Sequence, residues 1–424
     1  MLRVLLITYY WPPAGGSGVQ RWLKFVKYLP EFGIDPVVYT AQDANYAITD
    51  ASLKDEIPSE IEVIKEPIWE PNDLLSKFGT KEKQVSAGFL SNEPSFTGRM
   101  IQYVRANYFV PDARKFWVKP SVKRLASYMK DESIDVVITS GPPHSLHLIG
   151  KKLKEKTGVK WIADFRDPWT NIDYFHALPM TEKTKSKHFQ LENEVLEKTD
   201  AVIVVGSSMK AEFDDRNENV HVITNGFDGE IASGADELDT KFSISHIGMM
   251  NADRNPQILW KVLNEMILES TDFARDLQVK LIGKCDSSVF VSIQKEGLSD
   301  YVNFISYLPH KEVMQHQRMS QLLLLSVNKV PSAKSIITGK VFEYLQSNRP
   351  VLAIGPLDGD LAEIIRISGS GQMIDFEDED GLKESIKKSY DKYKSGTLKA
   401  KSENIDQYHR KNLTEKLAGL IKSI

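Results

Sequence analysis

Two doubly wound α/β domains are predicted for this chain, on three features of its sequence. Short runs rich in Val, Ile and Leu alternate with longer amphipathic stretches, the pattern of repeated βα units around parallel sheets. The alternation pauses once, over Asn225–Thr240, where Gly226, Gly229, Gly234 and several acids gather as in a linker, and then restarts. The length, 424 residues, exceeds one ordinary domain and suits two.

In the first half, strands are expected at Arg3–Ile7, Pro36–Tyr39, Ile61–Ile64, Asp135–Thr139, Val159–Ala163, Ala201–Val205 and His221–Ile223. A helix is expected from about Gly18 to Phe32, closed by Gly33 as its C-cap. The second half predicts strands at Phe242–Ile247, Gln278–Ile282, Tyr301–Ile305, Gln321–Ser326, Pro350–Ile354 and Gly371–Ile374. Tyr408, Leu413, Leu417 and Ile421 then recur at helical spacing. The expected division is an N-terminal domain at 1–225, a linker at 226–240, a C-terminal domain at 241–403, and a final helical segment at 404–424 that packs back on the N-terminal domain. Each doubly wound domain offers a ligand site at the carboxyl ends of its strands.

Composition narrows the function. Hydrophobic residues at 41% leave ample material for a core, which excludes wholesale disorder. Lys and Arg total 54 against 58 Asp and Glu, a net charge of −4, so no nucleic-acid partner is expected. A single cysteine, Cys285, excludes an intrachain disulfide and fits a reducing compartment. The first residues have no basic n-region or small-residue cleavage site, and no stretch is long and apolar enough to span a bilayer. A cytoplasmic protein is expected, with peripheral membrane contact left open.

Two loops carry chemistry. After the first strand, Trp11-Pro12-Pro13-Ala14-Gly15-Gly16-Ser17-Gly18 leads into a helix, where glycines admit close backbone approach and the helix N-terminus favours negative charge. The spacing is not that of the dinucleotide fingerprint, and the alternative is a tight strand-to-helix turn with no ligand role. In the second half, Gly339-Lys340 superficially suggests a phosphate loop, but position 334 is Lys and position 341 is Val where that motif needs Gly and Ser or Thr, so a P-loop NTPase is rejected. Lys340 and Glu343 share one helix face. A lysine there offsets phosphate charge, and a carboxylate one turn on accepts hydrogen bonds from ribose hydroxyls. The alternative is an exposed ion pair.

Together these residues resemble the retaining glycosyltransferases of the GT-B fold, in particular glycosyltransferase family 4. The resemblance runs through Gly15-Gly16, Asn225-Gly226-Phe227-Asp228, Gly248, Leu281-Ile282-Gly283, Val302-Asn303-Phe304-Ile305-Ser306-Tyr307, and Glu343-Tyr344-Leu345 to Pro350-Val351. It implies two facing Rossmann-like domains with a cleft. A nucleotide-sugar donor would be held by the C-terminal domain and an acceptor by the N-terminal one, with no metal and no cofactor. Glu343 would bind ribose, Gly16 would admit the diphosphate to the backbone, and Phe304–Tyr307, with Ser306, would flank the base. The wider donor set implied is Gly15, Gly16, Gly248, Ser306, Ser335, Lys340 and Glu343.

Departures from the family pattern matter. Ser335 stands where a glutamate is common, eight residues before Glu343. Met249 follows Gly248 where arginine is frequent, and only Arg254 lies nearby, so Lys340 is assigned the second positive charge. In the first half, Asp164-Phe165-Arg166-Asp167 occupies the place of a family histidine; Asp164 and Asp167 either activate an acceptor or fix Arg166. His144 is a further acceptor-side candidate at a strand-to-helix turn, equally readable as structural.

The resulting expectation is retaining transfer to a glycan or lipid-linked acceptor in cell-surface polysaccharide synthesis. Arg166, Asp167, Arg254 and Lys340 form the catalytic set, and closure about Asn225–Thr240 excludes water. The alternatives are a UDP-N-acetylglucosamine 2-epimerase-like enzyme of the same fold and a non-catalytic sugar-nucleotide-binding protein. Finally, Arg99–Lys130 carries Arg99, Arg105, Arg114, Lys115, Lys119, Lys123, Arg124 and Lys130 against Asp112 alone, with Tyr103, Tyr108, Phe109, Phe116, Trp117 and Tyr128 interleaved. Such a stretch suits an anionic membrane surface on the inner face of the cell membrane; the alternative is buried aromatics with solvated charges.

Overall fold

The computed structural model describes residues 1–70, 96–172, 175–232, 237–306, 308–400 and 402–424. The chain divides into two units, Met1–Asn225 with Arg410–Ile424, and Gly226–His409.

The first unit is built on a parallel sheet of seven strands: β1 Leu2–Ile7, β2 Ile34–Gln42, β3 Val63–Pro67, β4 Val136–Gly141, β5 Lys160–Phe165, β6 Ala201–Val204 and β7 Val220–Val222. Their order is β3-β2-β1-β4-β5-β6-β7. Central strands such as β1 (LRVLLI) and β4 (VVITSG) are near-continuous apolar runs because helices cover both faces. Along β1, Val4 and Leu6 point to one core while Leu5 and Ile7 point to the other. The helix Ser17–Tyr28 packs Val19, Trp22, Leu23 and Val26 on the first of these faces. Beside it lies the helix Arg410–Ser423, which adds Leu413, Leu417, Leu420 and Ile421 to the same core.

All expected strands are present, and the differences have local causes. The expected helix Gly18–Phe32 stops at Tyr28 and tightens into a 3₁₀ turn over Leu29–Phe32. Pro30 supplies no amide hydrogen and cannot continue the α-helical ladder. Gly33 closes the turn at φ 75°, a left-handed conformation natural to glycine. At the sheet edge, β3 lies two to three residues beyond its expected place and ends on Pro67, which an edge position tolerates.

The second unit repeats the plan with six parallel strands: β8 Phe242–Ile247, β9 Leu277–Ile282, β10 Val302–Ile305, β11 Leu322–Ser326, β12 Val351–Ile354 and β13 Gly371–Ile374. The order is β10-β9-β8-β11-β12-β13. Strand order reverses between β1 and β4 in one sheet and between β8 and β11 in the other, and ligand crevices open beyond the carboxyl ends at such points. Gly234 of the expected linker lies outside the described residues. Its described flanks join the second unit: Ala232 N–H donates to Gln346 O and Asp239 N–H to Met319 O. Among the described residues, no helix is long and apolar enough to cross a membrane.

Candidate functional site

In the second unit, the site is built where β8 ends. Gly248 adopts φ 116°, and a Cβ there would fall 2.5 Å from Lys340 Cε and 3.0 Å from its Nζ. A side chain there would push the end of the lysine aside, at a φ that L side chains rarely adopt. Gly283, at the end of β9 with φ 115°, likewise lies so close that a Cβ would meet Gly248 O at 2.8 Å. Lys340 opens the helix Lys340–Ser347, which is held on the sheet by Tyr344: its hydroxyl accepts from Ile247 N–H (3.1 Å) and donates to Leu324 O (3.4 Å).

Lys340 Nζ donates to Met249 O (3.1 Å) and to His246 Nε2 (3.0 Å). Arg254, in a short turn capped by Asn251, donates to the same Met249 carbonyl at 3.4 Å. Enclosure, followed by repulsion from Arg254, pulls the Lys340 pKa down to about 7. A lysine at a helix N-terminus also opposes the helix dipole. Two cations held against one turn, at a cost to both, are the arrangement an anion relieves. Glu343 lies one turn along the helix, half-buried, and accepts from Gln317 Nε2 at 2.9 Å.

The remaining donor candidates have their own surroundings. Ser335 spends its hydroxyl on Ser332 O (2.9 Å) within its own turn. Ser306 is exposed just past β10, and Phe304 stacks on Phe290 with ring centroids 4.4 Å apart. Tyr307 lies outside the described residues. His246 was missed by sequence reasoning; its signal is a polar residue inside an otherwise buried strand, FSISHI.

In the first unit, Gly16 (φ 88°) caps the helix Ser17–Tyr28 without a side chain, and a Cβ there would meet nothing within 4 Å. Gly15 is tighter, its N–H donating to Ile48 O at 2.9 Å. Arg166 lies against Gly18: a Cβ on that glycine would be 2.6 Å from Nη1. Its guanidinium donates to Gly18 O (3.0 Å), Gly141 O (3.3 Å) and Pro142 O, so it ties the loops after β1 and β4 together. Asp167 is exposed beside it.

Asp164 has a different role from fixing Arg166. Fully buried, it accepts from Arg21 Nη2 (2.8 Å) and Nε (3.3 Å), Trp22 Nε1 (2.8 Å) and Ser140 Oγ (2.8 Å). Four donors around one buried carboxylate make it an anchor of the sheet to the helix Ser17–Tyr28. His144 is buried and stacks on Trp169, centroids 4.9 Å apart and planes within 6°. Burial holds its pKa well below the usual histidine range, so it is neutral.

The basic stretch is less uniformly available than its composition suggests. Arg114 turns inward, 2.9 Å from the buried carboxylate of Glu70 and 3.0 Å from Tyr9 Oη. Arg124 pairs with Glu66, and Lys115 lies over the rings of Phe109 and Phe116. Trp117 is buried against Tyr39. Outward are Arg99, Met100, Tyr103, Val104, Arg105 and Tyr108 on the helix Phe96–Tyr108, the basic side chains of Lys119, Lys123, Arg124 and Lys130 further along, and Phe116 with Trp69, whose ring centroids lie 5.0 Å apart.

Each sheet has the Rossmann-like strand order, and a chain with two such domains has the GT-B class of fold. The comparisons agree: over 100% of its length the chain is similar to sucrose-phosphate synthase from Thermosynechococcus elongatus, at 12% identity, 99% coverage of that chain and a TM-score of 0.64. It is similar over 99% of its length to WaaG, a glycosyltransferase involved in lipopolysaccharide biosynthesis (13% identity, 100% of that chain, TM-score 0.57). A putative UDP-N-acetylglucosamine 2-epimerase from Listeria monocytogenes is also similar (11% identity, 100% of this chain and 96% of that one, TM-score 0.56). At such identities the likeness is one of fold, shared by enzymes of different reactions. Residues 84–230 match the model of Glycosyltransferase Family 4. None of the curated proteins matches the chain.

Proposed function

We propose that the chain is a retaining glycosyltransferase that passes a sugar from a nucleotide-sugar donor to a glycan or lipid-linked acceptor in cell-surface polysaccharide synthesis. The observation that carries this reading is the meeting of Lys340 and Arg254 at the Gly248 turn, beyond the β8 end of the second sheet. The Family 4 match within residues 84–230 supports it, as does the likeness to a lipopolysaccharide glycosyltransferase.

In this reading the second unit holds the donor. Lys340 and Arg254 offset the charge that develops on the departing nucleoside diphosphate, so that no metal or other cofactor is needed. Glu343 accepts hydrogen bonds from the ribose hydroxyls. In the first unit, Arg166, Asp167 and His144 serve the acceptor side, and the acceptor hydroxyl attacks on the face the diphosphate leaves. The exposed apolar and basic face of Phe96–Tyr108 meets an anionic bilayer on its cytoplasmic side.

A thermal-shift screen of UDP-, GDP- and ADP-sugars tests the donor, because a ligand specific to the native state raises its melting temperature. Donor consumption is then followed with and without acceptor glycans in the presence of EDTA, and the product anomer is read by NMR. Acceptor-dependent transfer with retention is expected. Conversion of UDP-N-acetylglucosamine without acceptor would instead establish the epimerase reading, which the Listeria structure motivates. Nucleotide binding with no turnover would establish a non-catalytic binder, for which Ser335 in place of a carboxylate is the motive.

A further inference from the structure

We infer that His246 is a positioning residue that aims Lys340 at the ligand's phosphates. This rests on the donor-site reading above and extends it to a residue that touches no substrate. His246 lies on β8, 1% exposed, two residues before the Gly248 turn. Its Nδ1 is 3.2 Å from Leu324 O on the neighbouring strand β11. Nε2 also lies 3.4 Å from Met249 O, but the Lys340 ammonium is nearer and can only donate, so in the neutral ring Nε2 presents its lone pair and Nδ1, facing the Leu324 carbonyl, carries the proton. That lone pair faces Lys340 Nζ at 3.0 Å.

Lys340 therefore has two fixed acceptors, His246 Nε2 and Met249 O, and three N–H bonds. Two bonds are directed into the protein, and the third is left for an incoming anion. Without the imidazole, a flexible four-carbon stem would keep only the Met249 contact, and its direction would be lost. Around this pair stand Arg254 from the turn after β8, Cys285 beyond β9 and Glu343 on the lysine's own helix. Burial and the Lys340 charge keep the His246 pKa well below its usual range, which preserves the neutral ring the geometry needs.

The test is a double-mutant cycle read by isothermal titration with UDP, GDP and ADP. His246→Leu fills the space but offers no acceptor; His246→Gln restores a carbonyl oxygen. For the nucleotide that the wild type binds, H246L is expected to weaken affinity about tenfold, and H246Q to recover most of it. In a Lys340→Met background, H246L should have no further effect, because its action runs through the lysine. H246L should also move the pH midpoint of binding downward, a change that mere loosening of the fold would not cause. Unchanged affinity in H246L, or an equal loss with and without Lys340, overturns the inference while leaving the donor site standing. A wild type that binds none of the three nucleotides overturns the donor-site reading and the inference with it.

Discussion

Lys340 has an ordinary value of 10.5 that enclosure and Arg254 bring to about 7, and this sets opposite trends for the free and bound protein. An anion favours the ammonium, so nucleotide affinity is expected to fall as pH rises through about 7, with log Kd approaching unit slope; titration calorimetry across that range checks it. The free protein behaves in the other sense. Between about 7 and 10.5 the unfolded chain binds the proton and the folded chain does not, so this group's contribution to stability rises with pH. Gly248 gives a second handle. Gly248→Ala puts a methyl 2.5 Å from Lys340 Cε, at a backbone angle that disfavours a side chain, so nucleotide affinity should drop about tenfold or more. Equal binding by the variant would remove Lys340 from the phosphate site. Lys340 and Glu343 were legible from their spacing on one helix face, and Gly248 only through the resemblance to a known family. His246 was not, because β8 looks amphipathic when Ser243, Ser245 and His246 are in fact all buried, each satisfied by a neighbouring segment.

At the scale of elements, central strands were easy to read because burial on both faces leaves an unbroken apolar run, and boundaries drifted where an edge or a proline intervened. The basic stretch shows what local sequence omits. Arg114 finds Glu70, which lies far upstream in the chain, so a count of positive charges overstates what reaches solvent, while Arg124 pairs with Glu66 and stays exposed. The outward face of Phe96–Tyr108 is therefore the better probe of membrane contact than Arg114. Arg99→Glu with Tyr108→Ser should reduce co-sedimentation with vesicles containing anionic lipid several-fold, an effect that added salt should mimic in the parent protein. Binding that is indifferent to both would assign this face to another partner. The helix Arg410–Ser423 supplies a stability test: Leu417 is fully buried, and Leu417→Ala should cost about 2–5 kcal/mol in urea unfolding of the first unit.

On the scale of the whole molecule, the repeated alternation made both sheets legible, whereas the reaction was not, because this fold carries transferases and an epimerase alike. Nucleotide binding should therefore leave a local signature. Hydrogen exchange with UDP present is expected to slow at residues 246–254 and 335–345 and to leave β1, β4 and β5 unchanged. Protection confined to the first unit would exchange the roles given to the two sheets. The membership of Arg410–Ile424 in the first unit has a consequence for biosynthesis. The ribosome must translate all of Gly226–His409 before that helix exists, roughly 10–40 s of synthesis at ordinary rates. Throughout that interval the nascent first unit has Val19, Trp22, Leu23 and Leu29 without part of their cover, so its core closes only after the second unit has been made.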